Sequence, residues 1–159
     1  MAIYKLIEDF YEHSYTLIAI HCSLEDYKMA YFLNSYTNIK LSRLSYNIEL
    51  STNASFSIYE WKDEMNESTW NLISNISGIE LEESTGILFK KDISMITNYF
   101  IPEYRKVDYF LKIDDNRDIF EESNEIIKII NEIPQVITAY AVDPDQLKSK
   151  NNLIFLSNA

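Results

Sequence analysis

The strongest constraint on this chain is a change of hydrophobic period. Leu24, Tyr27 and Tyr31, together with Ala30 and Leu33, recur at helical spacing through about Ser35. From Leu41 the period becomes two: Ser42, Leu44, Tyr46, Ile48 and Leu50 share one side, and Arg43, Ser45, Asn47 and Glu49 the other. A helix gathers one face at intervals of about 3.6 residues, whereas a strand alternates between two faces. A chain carrying both patterns must bury a helix against a sheet. A second helical stretch, carrying Ile126, Ile127, Ile130 and Ile133, stops at Pro134, whose ring and missing N–H end a helix.

Around these anchors the other elements fall into place. Residues 15–21 form an apolar run rich in β-formers, residues 56–61 and 70–76 read as strands of a meander, and 107–113 and 136–142 as two more. Residues 87–89 and 153–156 are shorter candidates, the latter as an edge strand, and 3–8 is ambiguous between strand and helix. Ser23 followed by Asp26 resembles a capping box opening the first helix. That helix is apolar nearly all round, which predicts burial on more than one side. The expectation is one α+β domain over residues 1–159: an antiparallel sheet with two helices packed on one face, its two β–α–β segments flanking a β-meander. Ferredoxin-like pairing is compatible with that order.

Composition then excludes whole classes of function. Lys and Arg number 14 against 25 Asp and Glu, a formal charge of −11, so the basic footprint of a direct nucleic-acid binder is missing. Two glycines, Gly78 and Gly86, cannot build a phosphate loop or dinucleotide fingerprint. One cysteine, Cys22, and two histidines, His13 and His21, leave no internal disulfide or Cys-rich zinc site. No cofactor is expected. Glu8 and Asp9 interrupt the N-terminal segment where a secretory leader would be apolar, and the apolar runs are far shorter than the roughly 20 residues that span a bilayer. The expected location is the cytoplasm, without a membrane partner.

Residues 101–109 read Ile101, Pro102, Glu103, Tyr104, Arg105, Lys106, Val107, Asp108, Tyr109. The segment resembles the I-P-E-x-x-x-V-D-Y signature of an uncharacterised family of bacterial proteins. Leu24 to Tyr27, Glu60 with Trp61, and the stretch from Leu147 to Lys150 before Asn152 to Phe155 look similar too. The resemblance implies a full-length single-domain protein; it carries no catalytic residues over, because the family has no assigned activity. From the residues themselves, Pro102 holds Ile101 extended and marks a bend before a strand. Val107, Tyr109, Leu111 and Ile113 then point one way, and Asp108, Phe110 and Lys112 the other. Asp108 beside Phe110 needs a partner: Lys112, Arg105, Arg43 or backbone amides.

Three constellations carry potential chemistry. Asp114, Asn116, Asp118 and Glu125 stand at relative positions 1, 3, 5 and 12 of a calcium loop, with Glu122 at position 9, but Ile119 stands where the sharp turn needs glycine. Helix capping by Asp118 with Glu121 explains the same acids. His21 and Cys22 precede a helix N-terminus, where a thiolate is stabilised. As strand neighbours they face opposite ways, so Cys22 reads as a small core residue and His21 as a polar strand end. Glu103 and Asp108 are the carboxylate pair of a hydrolase reading. The favoured expectation is a non-enzymatic, acidic, Tyr-rich module that binds a cytoplasmic protein with a basic surface. The alternatives are a small enzyme using Glu103 and Asp108, and a divalent-metal regulator acting through Asp114 to Glu125.

Overall fold

The computed structural model describes residues 15–50, 54–79, 96–115 and 120–154. In chain order these form β1 (Tyr15–Cys22), α1 (Asp26–Thr37), β2 (Ser42–Arg43), β3 (Ile48–Glu49), β4 (Ser55–Phe56), β5 (Ile58–Asp63) and β6 (Ser68–Ser74). They continue as β7 (Ile76–Ile79), β8 (Ile96–Tyr99), β9 (Tyr109–Asp115), α2 (Phe120–Glu132) and β10 (Val136–Val142). The fold is α+β. Its main sheet has six strands in the order β10-β1-β9-β6-β5-β2, every neighbour antiparallel, with β3–β4 and β7–β8 as separate ribbons. The candidate elements at 3–8 and 87–89 lie outside the described residues.

The segment β9–α2–β10 straddles β1, which pairs with both strands. α1 instead leads from β1 to β2 at the far edge, across β9, β6 and β5. The sheet is thus wider than four strands, because the β5–β6 hairpin stands between β9 and β2, and this order does not establish ferredoxin-like pairing.

Strand alternation splits the apolar residues into two cores. Ile18, Ile20 and Cys22 of β1 join Leu72, Tyr109, Leu111 and Ile113 under Met29, Ala30 and Leu33 of α1 and Ile130 and Ile133 of α2. Leu17, Ala19, Ile73 and Phe110 face the opposite side, covered by Phe56, Phe100, Ile101, Val107, Leu147 and Leu153. Both faces of the sheet are therefore buried. Burial of this kind stabilises by roughly 25 cal/mol for each Å² of apolar surface removed from water.

Several local expectations change. α1 has no capping box: Glu25 is its N-cap without a side-chain bond, and the Asp26 carboxylate accepts from the Tyr27 amide at 2.8 Å. Nor is α1 buried on several sides. Tyr27, Tyr31 and Tyr36 are 55%, 66% and 41% exposed, since only one layer lies against the helix. The alternation over 42–50 is broken into β2 and β3 because Arg43 gathers the intervening turn, donating to the carbonyls of Leu44, Tyr46 and Ile58 and to the Asn47 side chain. Val107 precedes β9 and turns into the second core, away from Tyr109, Leu111 and Ile113. Of the edge-strand candidate at 153–156, Leu153 instead ends a 3-10 helix, Lys150–Leu153, that seats it in that core, and residues 155–156 lie outside the described residues.

Candidate functional site

The motif residues surround one buried side chain, Asn75, in the step between β6 and β7. Its backbone amide donates to the Asp108 carbonyl at 2.9 Å, and its carbonyl accepts from the Phe100 amide at 2.8 Å. Its carboxamide donates to the carbonyls of Tyr104 and Val107 and accepts from the Ile101 amide, each at 2.8 Å. Asn75 is fully buried, and a buried polar group needs such partners to offset its lost hydration. It thus holds both ends of the irregular stretch between β8 and β9. The sequence reading missed it: Asn75 falls within the stretch 70–76 read as a strand, where nothing local marks a hub, and its partners lie 26, 29 and 32 residues away.

Each motif residue has a place around this hub. Ile101 is buried and extended, and Pro102 opens a 3-10 helix, Pro102–Tyr104, where its missing N–H has no partner to lose. Glu103 stands at the surface and accepts from the Ser149 amide at 2.9 Å and the Ser149 hydroxyl at 2.6 Å. Burial alone would raise its pKa, but the Ser149 bonds outweigh it and hold the carboxyl below its ordinary value. The Asp108 carboxylate accepts from the Cys22 amide at 2.9 Å, at the irregularity between His21 and Cys22 in β1. Among the candidate partners, backbone amides are thus the ones used. Arg43 lies over Tyr59, Arg105 over Tyr99, and Lys112 over Tyr15. The Tyr109 hydroxyl reaches the Leu24 carbonyl at 2.5 Å, across the entry to α1, and burial raises its pKa.

Glu103, Asp108 and Tyr109 therefore touch three different elements. Glu103 fastens the C-terminal segment, which Asn152 also ties to the Phe100 carbonyl at 2.9 Å and Lys112 to the Leu153 carbonyl at 2.9 Å. Lys112 is buried, its pKa is lowered by that burial, and Asp114 at 3.3 Å works in the other direction. The structure does not gather the motif acids around a shared reacting atom: one bonds to Ser149, the other to the β1 backbone.

His21 and Cys22 diverge as strand geometry requires. The thiol is buried against the Met29 sulfur at 3.6 Å, and burial raises its pKa while a backbone hydrogen bond from Leu24 opposes. The imidazole Nε2 lies 2.9 Å from the Tyr140 hydroxyl. Of the calcium-loop candidates, Asn116 and Asp118 lie outside the described residues; among those described, no three His, Cys, Asp or Glu side chains cluster to hold a metal ion. No described helix is long and apolar enough to cross a membrane. Three exposed tyrosines, Tyr27, Tyr31 and Tyr36, lie on α1, where Tyr31 packs edge-on to the half-buried Phe32 at 5.5 Å. No family model, curated protein or solved structure matches the chain.

Proposed function

We propose that this chain is a non-enzymatic, cytoplasmic interaction module that binds a protein with a basic surface through the tyrosine face of α1. The observation that carries the reading is the exposure of Tyr27 and Tyr31, one turn apart on a helix whose other face is core. Tyrosine offers large contact area with few rotatable bonds, and aromatic residues are enriched at interfaces. A charge of −11 steers a basic partner toward the chain. Both motif carboxylates accept hydrogen bonds from the chain itself, which favours binding over an enzyme built on Glu103 and Asp108. The motif resemblance belongs to the same proposal and rests on Ile101, Pro102, Glu103, Val107, Asp108 and Tyr109.

The test is affinity purification from the native cytoplasm with mass spectrometry, using the parent chain and Tyr27→Ser/Tyr31→Ser. The expected result is a co-eluting protein with a basic surface, lost from the double variant. It should also weaken as salt rises, because the screening length falls from about 30 Å at 0.01 M to about 8 Å at 0.15 M. Capture insensitive to both the tyrosines and salt rejects the reading. Turnover of a small molecule by the purified chain, abolished by Glu103→Gln, replaces it with the enzyme.

A further inference from the structure

Tyr27 and Tyr31 stand at i and i+4 on α1 and are both exposed, so they are neighbours on one outward face, with Cβ atoms about 5–6 Å apart. A cation of the chain itself rests there: the Lys28 ammonium lies 5.9 Å from the centre of the Tyr27 ring. The same pairing recurs elsewhere in the fold, with Arg43 over Tyr59 and Arg105 over Tyr99, both at 5.8 Å, and Lys112 over Tyr15 at 4.8 Å. The face of a tyrosine ring is electron-rich and attracts cations within about 6 Å of its centre. Lys28 is exposed and stands at the outer limit of that range, so another cation can displace it at little cost.

The carboxylate beside this pair is Glu25. As the N-cap of α1 it is exposed, and the hydrogen bond it takes from the Tyr27 hydroxyl is the main reason that the phenol's pKa is raised. Asp26 is engaged elsewhere: its carboxylate accepts from the Tyr27 amide at 2.8 Å and serves the Tyr59 hydroxyl. A guanidinium suits two rings and a carboxylate better than an ammonium does. It is planar, weakly hydrated and stacks on aromatic faces, while its N–H groups reach a carboxylate.

We propose that Tyr27, Tyr31 and Glu25 form a seat for an arginine side chain of the partner protein, the guanidinium stacking on the rings with its charge against Glu25 and displacing the Lys28 ammonium. The proposal rests on the α1 reading and adds to it the chemistry of the partner's contact residue. The charge of −11 draws a basic surface to the chain, and the seat selects which side chain enters.

The test titrates the purified chain with the peptide Gly-Arg-Gly-Arg-Gly and with counterparts carrying lysine or citrulline, following the Tyr27 and Tyr31 ring signals by nuclear magnetic resonance. Citrulline keeps the shape of arginine and loses its charge. The arginine peptide is expected to shift both rings saturably, the lysine peptide to bind more weakly, and the citrulline peptide to leave them unmoved. Tyr31→Leu, read on Tyr27, and Glu25→Gln should each weaken the arginine peptide about two- to fivefold, as the loss of one exposed contact with a cation does. Glu64→Gln, the same charge change in the β5–β6 turn, should leave the affinity as it was. Lys28→Met should tighten binding, and by more than Lys106→Met, which makes the same charge change in the motif stretch. Equal affinity for the lysine or citrulline peptide overturns the proposal, and so does parental affinity in both Tyr31→Leu and Glu25→Gln. A loss as large in Glu64→Gln as in Glu25→Gln also overturns it, since the charge then acts at a distance. Failure of the seat and failure of the α1 reading are distinguishable. A co-eluting protein lost from Tyr27→Ser/Tyr31→Ser, with rings that the arginine peptide does not shift, keeps the reading and removes the seat. A co-eluting protein that ignores the tyrosines, with rings that shift as expected, keeps the seat and removes the reading.

Discussion

The most consequential single residue is Asn75. Replacing it with Ala removes three side-chain hydrogen bonds at a fully buried position, and leaves the Val107 carbonyl and the Ile101 amide without that partner, while the Tyr104 carbonyl keeps the Val107 amide. Each buried unsatisfied group costs about 1–3 kcal/mol, though not additively. Urea titration should show Asn75→Ala destabilised by about 3 kcal/mol; a loss below about 0.5 kcal/mol, the scatter of neutral surface changes, removes the hub. Asp108→Ala should cost about 2 kcal/mol, through the lost charge-assisted bond to the Cys22 amide. Glu103 differs, because it is exposed. Its folded pKa lies below the ordinary 4.5, so its contribution is present above that value and disappears as pH falls through the lowered one. The stability gap between the parent and Glu103→Gln should therefore be open at neutral pH and close in acid. A gap of constant size across the titration contradicts the Ser149 latch.

Elements here are set by ends and turns as much as by their centres. α1 stops at Asn38, which takes the left-handed conformation at φ 58° and donates its amide to the Asn34 carbonyl at 3.1 Å. Asparagine tolerates that region. The β5–β6 hairpin closes less comfortably, because Glu67 sits at φ 51°, where a residue with a Cβ costs about 1–2 kcal/mol. Glu67→Gly should thus raise stability by about 0.5–1 kcal/mol in urea titration, the relief exceeding the entropy that glycine adds to the unfolded chain. A destabilised Glu67→Gly shows that the side chain supports the turn. On α1, Leu33→Ala should cost about 2–5 kcal/mol, while Tyr27→Ser/Tyr31→Ser should stay within about 0.5 kcal/mol per site. A large loss from the tyrosine pair places them in the core and withdraws them from binding.

At the scale of the whole molecule, the sheet is a central layer between two cores of different construction. One is roofed by helices. The other is closed by the motif stretch, β4 and the C-terminal segment, joined through Glu103, Asn152 and Lys112. The motif is thus the seam at which three distant parts of the chain meet. Adding millimolar Ca²⁺ should leave the melting temperature unchanged, because Ile119 occupies the turn position that needs glycine. A saturable rise abolished by Asp114→Ala reverses that expectation.

How much of this the sequence determined follows from the range of the forces involved. Periodicity and proline act within a few residues, so the strands of 15–22 and 136–142, the two helices and the stop at Pro134 were readable directly. So were the extended Ile101 before Pro102 and the divergence of His21 from Cys22. Which apolar face meets another layer is not local: the tyrosines of α1 look like core material by composition and stand in solvent because only one layer packs there. Val107 continues an alternating pattern on paper, yet enters the other core because β9 begins only at Tyr109. The three asparagines that organise the fold, Asn34, Asn75 and Asn131, were invisible for the same reason. A carboxamide satisfies backbone groups wherever folding brings them, and only tertiary structure brought Leu41, Ile101 and Ala139 within its reach.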